Sequence, residues 1–121
     1  MEFNRILAGG VIASLMFASP AWSHAHLDRA VPAEQAQESA PPEAVTLSFS
    51  QEIELKLSSI KVTNDKGEPV ATGEPENVNG DRKSLRVSLP RLAAGVYRVR
   101  WVATSVDTHS TNGSYTFTVS P

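Results

Sequence analysis

The stretch Gly95-Val96-Tyr97-Arg98-Val99-Arg100-Trp101 decides the fold. Tyr97, Val99 and Trp101 alternate with Arg98 and Arg100, the period of a strand with one dry and one wet face. The same alternation recurs on both sides. Val45, Leu47 and Phe49 alternate with Thr46, Ser48 and Ser50, and Ile60 and Val62 with Lys61 and Thr63. Leu85, Val87 and Leu89 alternate with Ser84, Arg86 and Ser88, and Tyr115, Phe117 and Val119 with Thr116 and Thr118. The connections carry turn chemistry: Asn64-Asp65-Lys66-Gly67 and Asn77-Val78-Asn79-Gly80-Asp81. Pro41-Pro42 and Pro90 punctuate strand edges, and Gly95 opens the longest strand. No window holds a sustained helical stripe, although Glu34 to Ala40 has room for one turn. The pattern predicts an all-β, antiparallel Greek-key sandwich of about seven strands. Phe49, Tyr97, Trp101, Tyr115 and Phe117 all fall on inward faces and are read as core.

The chain has 121 residues, enough for one domain. Its first 23 residues read as a leader. Arg5 is positive, residues 6–17 are apolar or small, and Ala21-Trp22-Ser23 offers small residues at the last and third-last places. That is the pattern of a cleaved secretory signal peptide. Residues 24–121 then form the working domain, and no later stretch is apolar for long enough to span a bilayer. The net charge of −2 argues against nucleic acid or an anionic membrane as partner.

There is no cysteine, which excludes disulfides, thiolate metal sites and thiol catalysis. The only methionines, Met1 and Met16, lie in the leader. The remainder has no sulfur ligand, so a thioether site for Cu(I) is excluded as well.

Three histidines remain: His24, His26 and His109. Cleavage after Ser23 makes His24 the first residue, with an α-amine and an imidazole on one side chain-backbone unit. The amine has an ordinary pKa of about 7.7–8, so a metal displaces its proton easily near neutrality. The third histidine sits in Ser105-Val106-Asp107-Thr108-His109. An extended backbone would point Asp107 and His109 to the same side. Taken alone, that pair reads more simply as a turn cap and a surface loop residue. Taken with a histidine directly after a cleavage site, it offers an amine, two imidazoles and a carboxylate. Such a nitrogen-rich set suits Cu(II) better than Mg²⁺, Ca²⁺ or Cu(I).

The sequence resembles the CopC family of periplasmic copper-resistance proteins. The resemblance rests on His24-Ala25-His26-Leu27, Pro32-Ala33-Glu34, Ala40-Pro41-Pro42, Val45 to Ser50, Gly95 to Trp101, Ser105 to His109 and Gly113 to Phe117. It spans essentially all of residues 24–121 and is strongest to the YobA-like branch, which also begins His-Ala-His-Leu. The resemblance implies an immunoglobulin-like β-sandwich or barrel that binds one Cu(II) in the periplasm. It assigns the metal to His24, through amine and imidazole, with Asp107 and His109. It further implies a copper carrier or buffer rather than an enzyme, with an inner-membrane CopD-like transporter as a partner, and a monomer is expected. Two departures stand out. The methionine-rich Cu(I) loop of some members is missing. A glutamate that some carry after the Phe-Ser is here Gln51, and the following Glu52 would face the other way in a regular strand.

Other readings compete at the same residues. Once His24 is first, His26 is third. A free amine, two backbone amides and a third-position imidazole can wrap Cu(II) in a plane without Asp107 or His109. That mode needs deprotonated amides and a bent terminus, which a strand beginning at Leu27 would oppose. An amine with two imidazoles also resembles the histidine brace of copper-dependent oxidative enzymes. Asp107 would fill the position such chemistry keeps open, and no aromatic is left to stack on a sugar. A metal-free interaction module is the third reading. No nucleophilic triad, phosphate loop or zinc spacing can be assembled.

Overall fold

The computed structural model describes residues 25–121. The leader expected over residues 1–23, and His24, lie outside the described residues. Eight strands form in chain order: β1 (Leu27–Val31), β2 (Gln37–Glu38), β3 (Ala44–Phe49), β4 (Ser59–Thr63), β5 (Thr72–Val78), β6 (Asp81–Ser88), β7 (Gly95–Thr104) and β8 (Ser110–Val119). One sheet has the order β1-β3-β6-β5 and the other β2-β8-β7-β4. All pairs are antiparallel except β2 with β8.

The alternation read from the sequence is the alternation of burial. Val45, Leu47, Phe49, Leu85 and Val87 face inward from the first sheet. Ile60, Val62, Tyr97, Val99, Trp101, Tyr115, Phe117 and Val119 face them from the second. The alternate residues are half-buried or exposed, except Ser84 and Thr104, which are buried and hydrogen-bonded, so each sheet is dry mainly on one side. Full burial of such side chains is worth about 1.5–3 kcal/mol apiece, the main support available to a domain without disulfides.

Aromatic packing organises the second sheet. Tyr97 stacks on Phe117 with centroids 5.6 Å apart. Its hydroxyl donates to the Ala93 carbonyl at 2.7 Å, fixing the entry to β7 as a tyrosine corner does in immunoglobulin-like sandwiches. Trp101 pairs in register with Gly113. A Cβ on Gly113 would stand 2.6 Å from the Trp101 Cζ2, so the indole occupies the space a side chain would need. Phe49 meets the same indole edge-on at 5.3 Å, which joins the two sheets.

Three local features depart from the sequence reading. Residues 34–40 contain a tight turn, with the Ala36 amide bonded to the Ala33 carbonyl at 3.1 Å, followed by the short parallel strand β2. A 3-10 turn at Leu55–Leu57 follows β3. The segment Thr72–Val78 is a strand without apolar alternation; it lies at a sheet edge, where Pro75 forfeits no ladder bond from a central strand.

Candidate metal centre

Asp107 and His109 belong to the five-residue loop joining β7 to β8. Three hydrogen bonds close it. The Ser105 amide donates to the His109 carbonyl at 2.9 Å, and the Thr108 amide to the Ser105 carbonyl at 2.8 Å. The Ser105 hydroxyl reaches the His109 carbonyl at 3.1 Å. Thr108 takes φ 73°, a left-handed conformation unusual for a β-branched residue and held here by the loop around it.

The loop brings Asp107 and His109 together. Their nearest atoms, Oδ1 and Nδ1, are 3.4 Å apart, and both side chains are about half exposed. The extended backbone expected from their spacing is not what does this: the chain turns between them at Thr108. Ser105 is fully buried and its hydroxyl donates to Asp107 Oδ1. That bond holds the Asp107 carboxyl below its ordinary pKa; desolvation opposes it, while the His109 ring and amide assist. Asp107 is therefore a carboxylate at neutral pH.

The segment after β3 backs this loop. The Val106 amide donates to the Glu52 carbonyl at 3.1 Å, and the Glu54 amide to the Thr104 carbonyl at 2.8 Å. Thr104 is buried; its hydroxyl donates to the Leu57 carbonyl at 2.8 Å and takes the Ser110 hydroxyl at 2.7 Å. The Thr104 amide donates to Ser58 Oγ at 3.0 Å. The Glu52 carboxylate pairs with Arg82 at 3.3 Å.

The N-terminal end of the described chain reaches the same hairpin. The Thr111 hydroxyl, two residues beyond His109, donates to the Ala25 carbonyl at 2.7 Å, and Ala25 is fully buried. His26 is exposed, but its backbone is committed: its amide donates to Ser50 Oγ at 2.9 Å, and its carbonyl accepts from the Ser50 amide at 2.9 Å. Of the residues singled out from sequence, Asp107 and His109 are in contact. Among the described residues no third histidine, aspartate or glutamate joins them in a cluster. Sequence reasoning missed Ser105 and Thr111. Ser105 carries a usable signal, a Ser two places before an Asp in a turn, where short polar side chains bond locally.

The chain matches the model of the CopC domain over residues 27–120 and belongs to the CopC family. Protein YobA of Escherichia coli strain K12 is 43% identical over 99 residues, covering 81% of this chain and 80% of that protein. The crystal structure of CopC from Methylosinus trichosporium OB3b superposes with a TM-score of 0.76 at 32% identity, over 81% of this chain and 95% of that one. PcoC, a methionine-rich copper resistance protein from Escherichia coli, superposes with a TM-score of 0.69 at 38% identity, over 79% of this chain and 98% of its own. No helix among the described residues is long and apolar enough to cross a membrane.

Proposed function

We propose that this protein is exported to the periplasm and carries one Cu(II) ion, bound by the amine and imidazole of His24 with Asp107 and His109. The observation that carries the reading is the pairing of Asp107 with His109 beside a hairpin to which Ala25 is tied. Two ligands about 2 Å from one ion and at right angles to each other lie about 3 Å apart. A pair already 3.4 Å apart needs little movement to share a metal. The ionised Asp107 has no proton to give up first. The relatives named for copper resistance support the choice of metal.

The competing wrap around His26 would deprotonate the His26 amide, which already donates to Ser50. It would also turn the peptide at Ala25, whose carbonyl Thr111 holds. Both bonds favour the longer-range site.

The role is a copper carrier or buffer, with a CopD-like transporter of the inner membrane as the receiving partner. No methionine lies beyond Met16, so reduction to Cu(I) leaves the ion without a soft ligand and loosens it. Binding weakens as pH falls, because the amine and imidazoles must lose protons to ligate.

Two measurements test the reading. The mass of the exported protein must correspond to a chain starting at His24; any other start removes the amine-imidazole pair. His109→Ala must then lower Cu(II) affinity by two orders of magnitude or more in a competition titration, and His26→Ala must leave it unchanged. The reverse pattern would establish the local wrap instead.

A further inference from the structure

The outward face of the β4-β7-β8 sheet carries a charge arrangement that the fold does not need. β7 presents Val96, Arg98, Arg100 and Val102 to solvent, all exposed. In register, Arg100 stands directly opposite Lys61 of β4, and Arg98 opposite Thr63. On the other side, Arg98 pairs with Thr116 and Arg100 with Ser114 of β8. Lys61 and Arg100 are thus two like charges at a cross-strand pair, where Cβ atoms lie about 4.5–5.5 Å apart and repulsion is destabilising. Among the described residues, Lys61, Arg98 and Arg100 have no ion-pair partner. Three cations therefore gather on one face of a chain whose net charge is −2.

The face is also grooved. Two shallow hollows, of about 360 and 310 Å³, open on it, a third of about 330 Å³ runs along its β4 edge beside Pro69, Ala71 and Gly73, and Arg100 lines all three. Asp65, in the turn after β4, is the carboxylate at the margin of the largest. Val96 and Val102 are 46% and 40% exposed and flank the two arginines along the strand. Arg98 and Arg100 project about 6.6–6.8 Å apart, the repeat of alternate residues in a strand.

We propose that this face is a docking surface for an acidic, extended segment of a partner protein. The inference is independent of the metal reading. Carboxylates at alternate positions match the spacing of Arg98 and Arg100, each able to take a carboxylate with two parallel hydrogen bonds. Lys61 adds a third charge, and the valines contact apolar residues at either end of the segment. Exposed arginine beside apolar area is the composition enriched at protein interfaces. A second copy of the chain does not fit, because identical basic faces repel. An anionic bilayer fits less well, because the chain as a whole is negative and the hollows suit side chains rather than a plane of headgroups.

The test uses the full exported protein and a labelled synthetic peptide with four glutamates at alternate positions, flanked by valines. Binding is read by fluorescence anisotropy and mapped by amide chemical shifts. The expected result is saturable binding that weakens with salt and shifts amides of residues 59–63, 96–102 and 112–118. The triple variant Lys61→Gln, Arg98→Gln, Arg100→Gln should lose affinity by tenfold or more while keeping wild-type Cu(II) binding. Equal binding by the triple variant, shifts elsewhere on the molecule, or binding to phosphatidylglycerol vesicles without binding to the peptide would each overturn the proposal.

Discussion

Thr111 and Ala25, 86 residues apart, are joined by a 2.7 Å hydrogen bond from the threonine hydroxyl to the alanine carbonyl. The bond fixes the backbone next to His24 against the strand that follows His109. Thr111→Val keeps the shape and removes the donor, leaving the Ala25 carbonyl unpaired in a buried position at a cost of about 1–3 kcal/mol. Cu(II) affinity should fall by tenfold or more, and the copper EPR spectrum should move toward that of His109→Ala. Thr111→Ser should restore both. Wild-type affinity in the valine variant would mean that Ala25 needs no such tie.

Ser105 sets the acidity of Asp107. With the hydroxyl bond present, the folded-state pKa lies below the ordinary 3.8. A lowered acid contributes stability that is present above the unfolded value and lost as pH falls through the folded one. The wild type should therefore lose stability progressively below about pH 3.8. Ser105→Ala should raise the Asp107 pKa, read from the carboxyl carbon shift in an NMR titration, and reduce the acid-side loss in urea midpoint. An unmoved Asp107 titration would show that Ser105 is only a packing residue.

Tyr115 is buried, and its hydroxyl has no hydrogen-bond partner among the described residues. Burial pushes the phenol well above its ordinary value. The contribution of a raised group is complete below the unfolded pKa, about 10, and disappears as pH rises through the folded one. Tyr115→Phe should be neutral or stabilising by up to about 1 kcal/mol near neutrality, since it removes an unsatisfied polar atom. It should also abolish part of the alkaline fall in stability above about pH 10. Denaturant titrations of both proteins across pH decide this; a clear loss of stability at pH 7 in the variant would reveal a partner for the hydroxyl.

Gly113 is held by its neighbour rather than by its own torsions. A methyl group there would meet the Trp101 ring at 2.6 Å, and the ring is itself wedged against Phe49. Gly113→Ala should cost about 1–3 kcal/mol through forced repacking and should shift the tryptophan emission. An unchanged spectrum and midpoint would show that the indole has room to tilt.

The fold was legible wherever a strand buries one face. Leu85 and Val87, or Tyr115 and Phe117, announce their inward side by period alone. β5 was not legible, because an edge strand with polar residues on both faces and Pro75 within it leaves no such trace. At the candidate site, two-residue spacing singled out Asp107 and His109, which do lie in contact, but the extended geometry expected for them is replaced by a turn through Thr108. Ser105 and Thr111 stayed hidden for different reasons. The first is one serine among many until its burial is known, and the second acts across 86 residues, a distance no local pattern spans.

Ala25 leads into β1, an edge strand of one sheet, whereas Thr111 belongs to the other sheet. An ion held between residue 24 and residues 107 and 109 would rivet the two layers together, a task that many exported sandwiches give to a cystine. Loading would then raise the resistance of the terminus to peeling and to aminopeptidase trimming, so the cargo would protect the very residue that captures it.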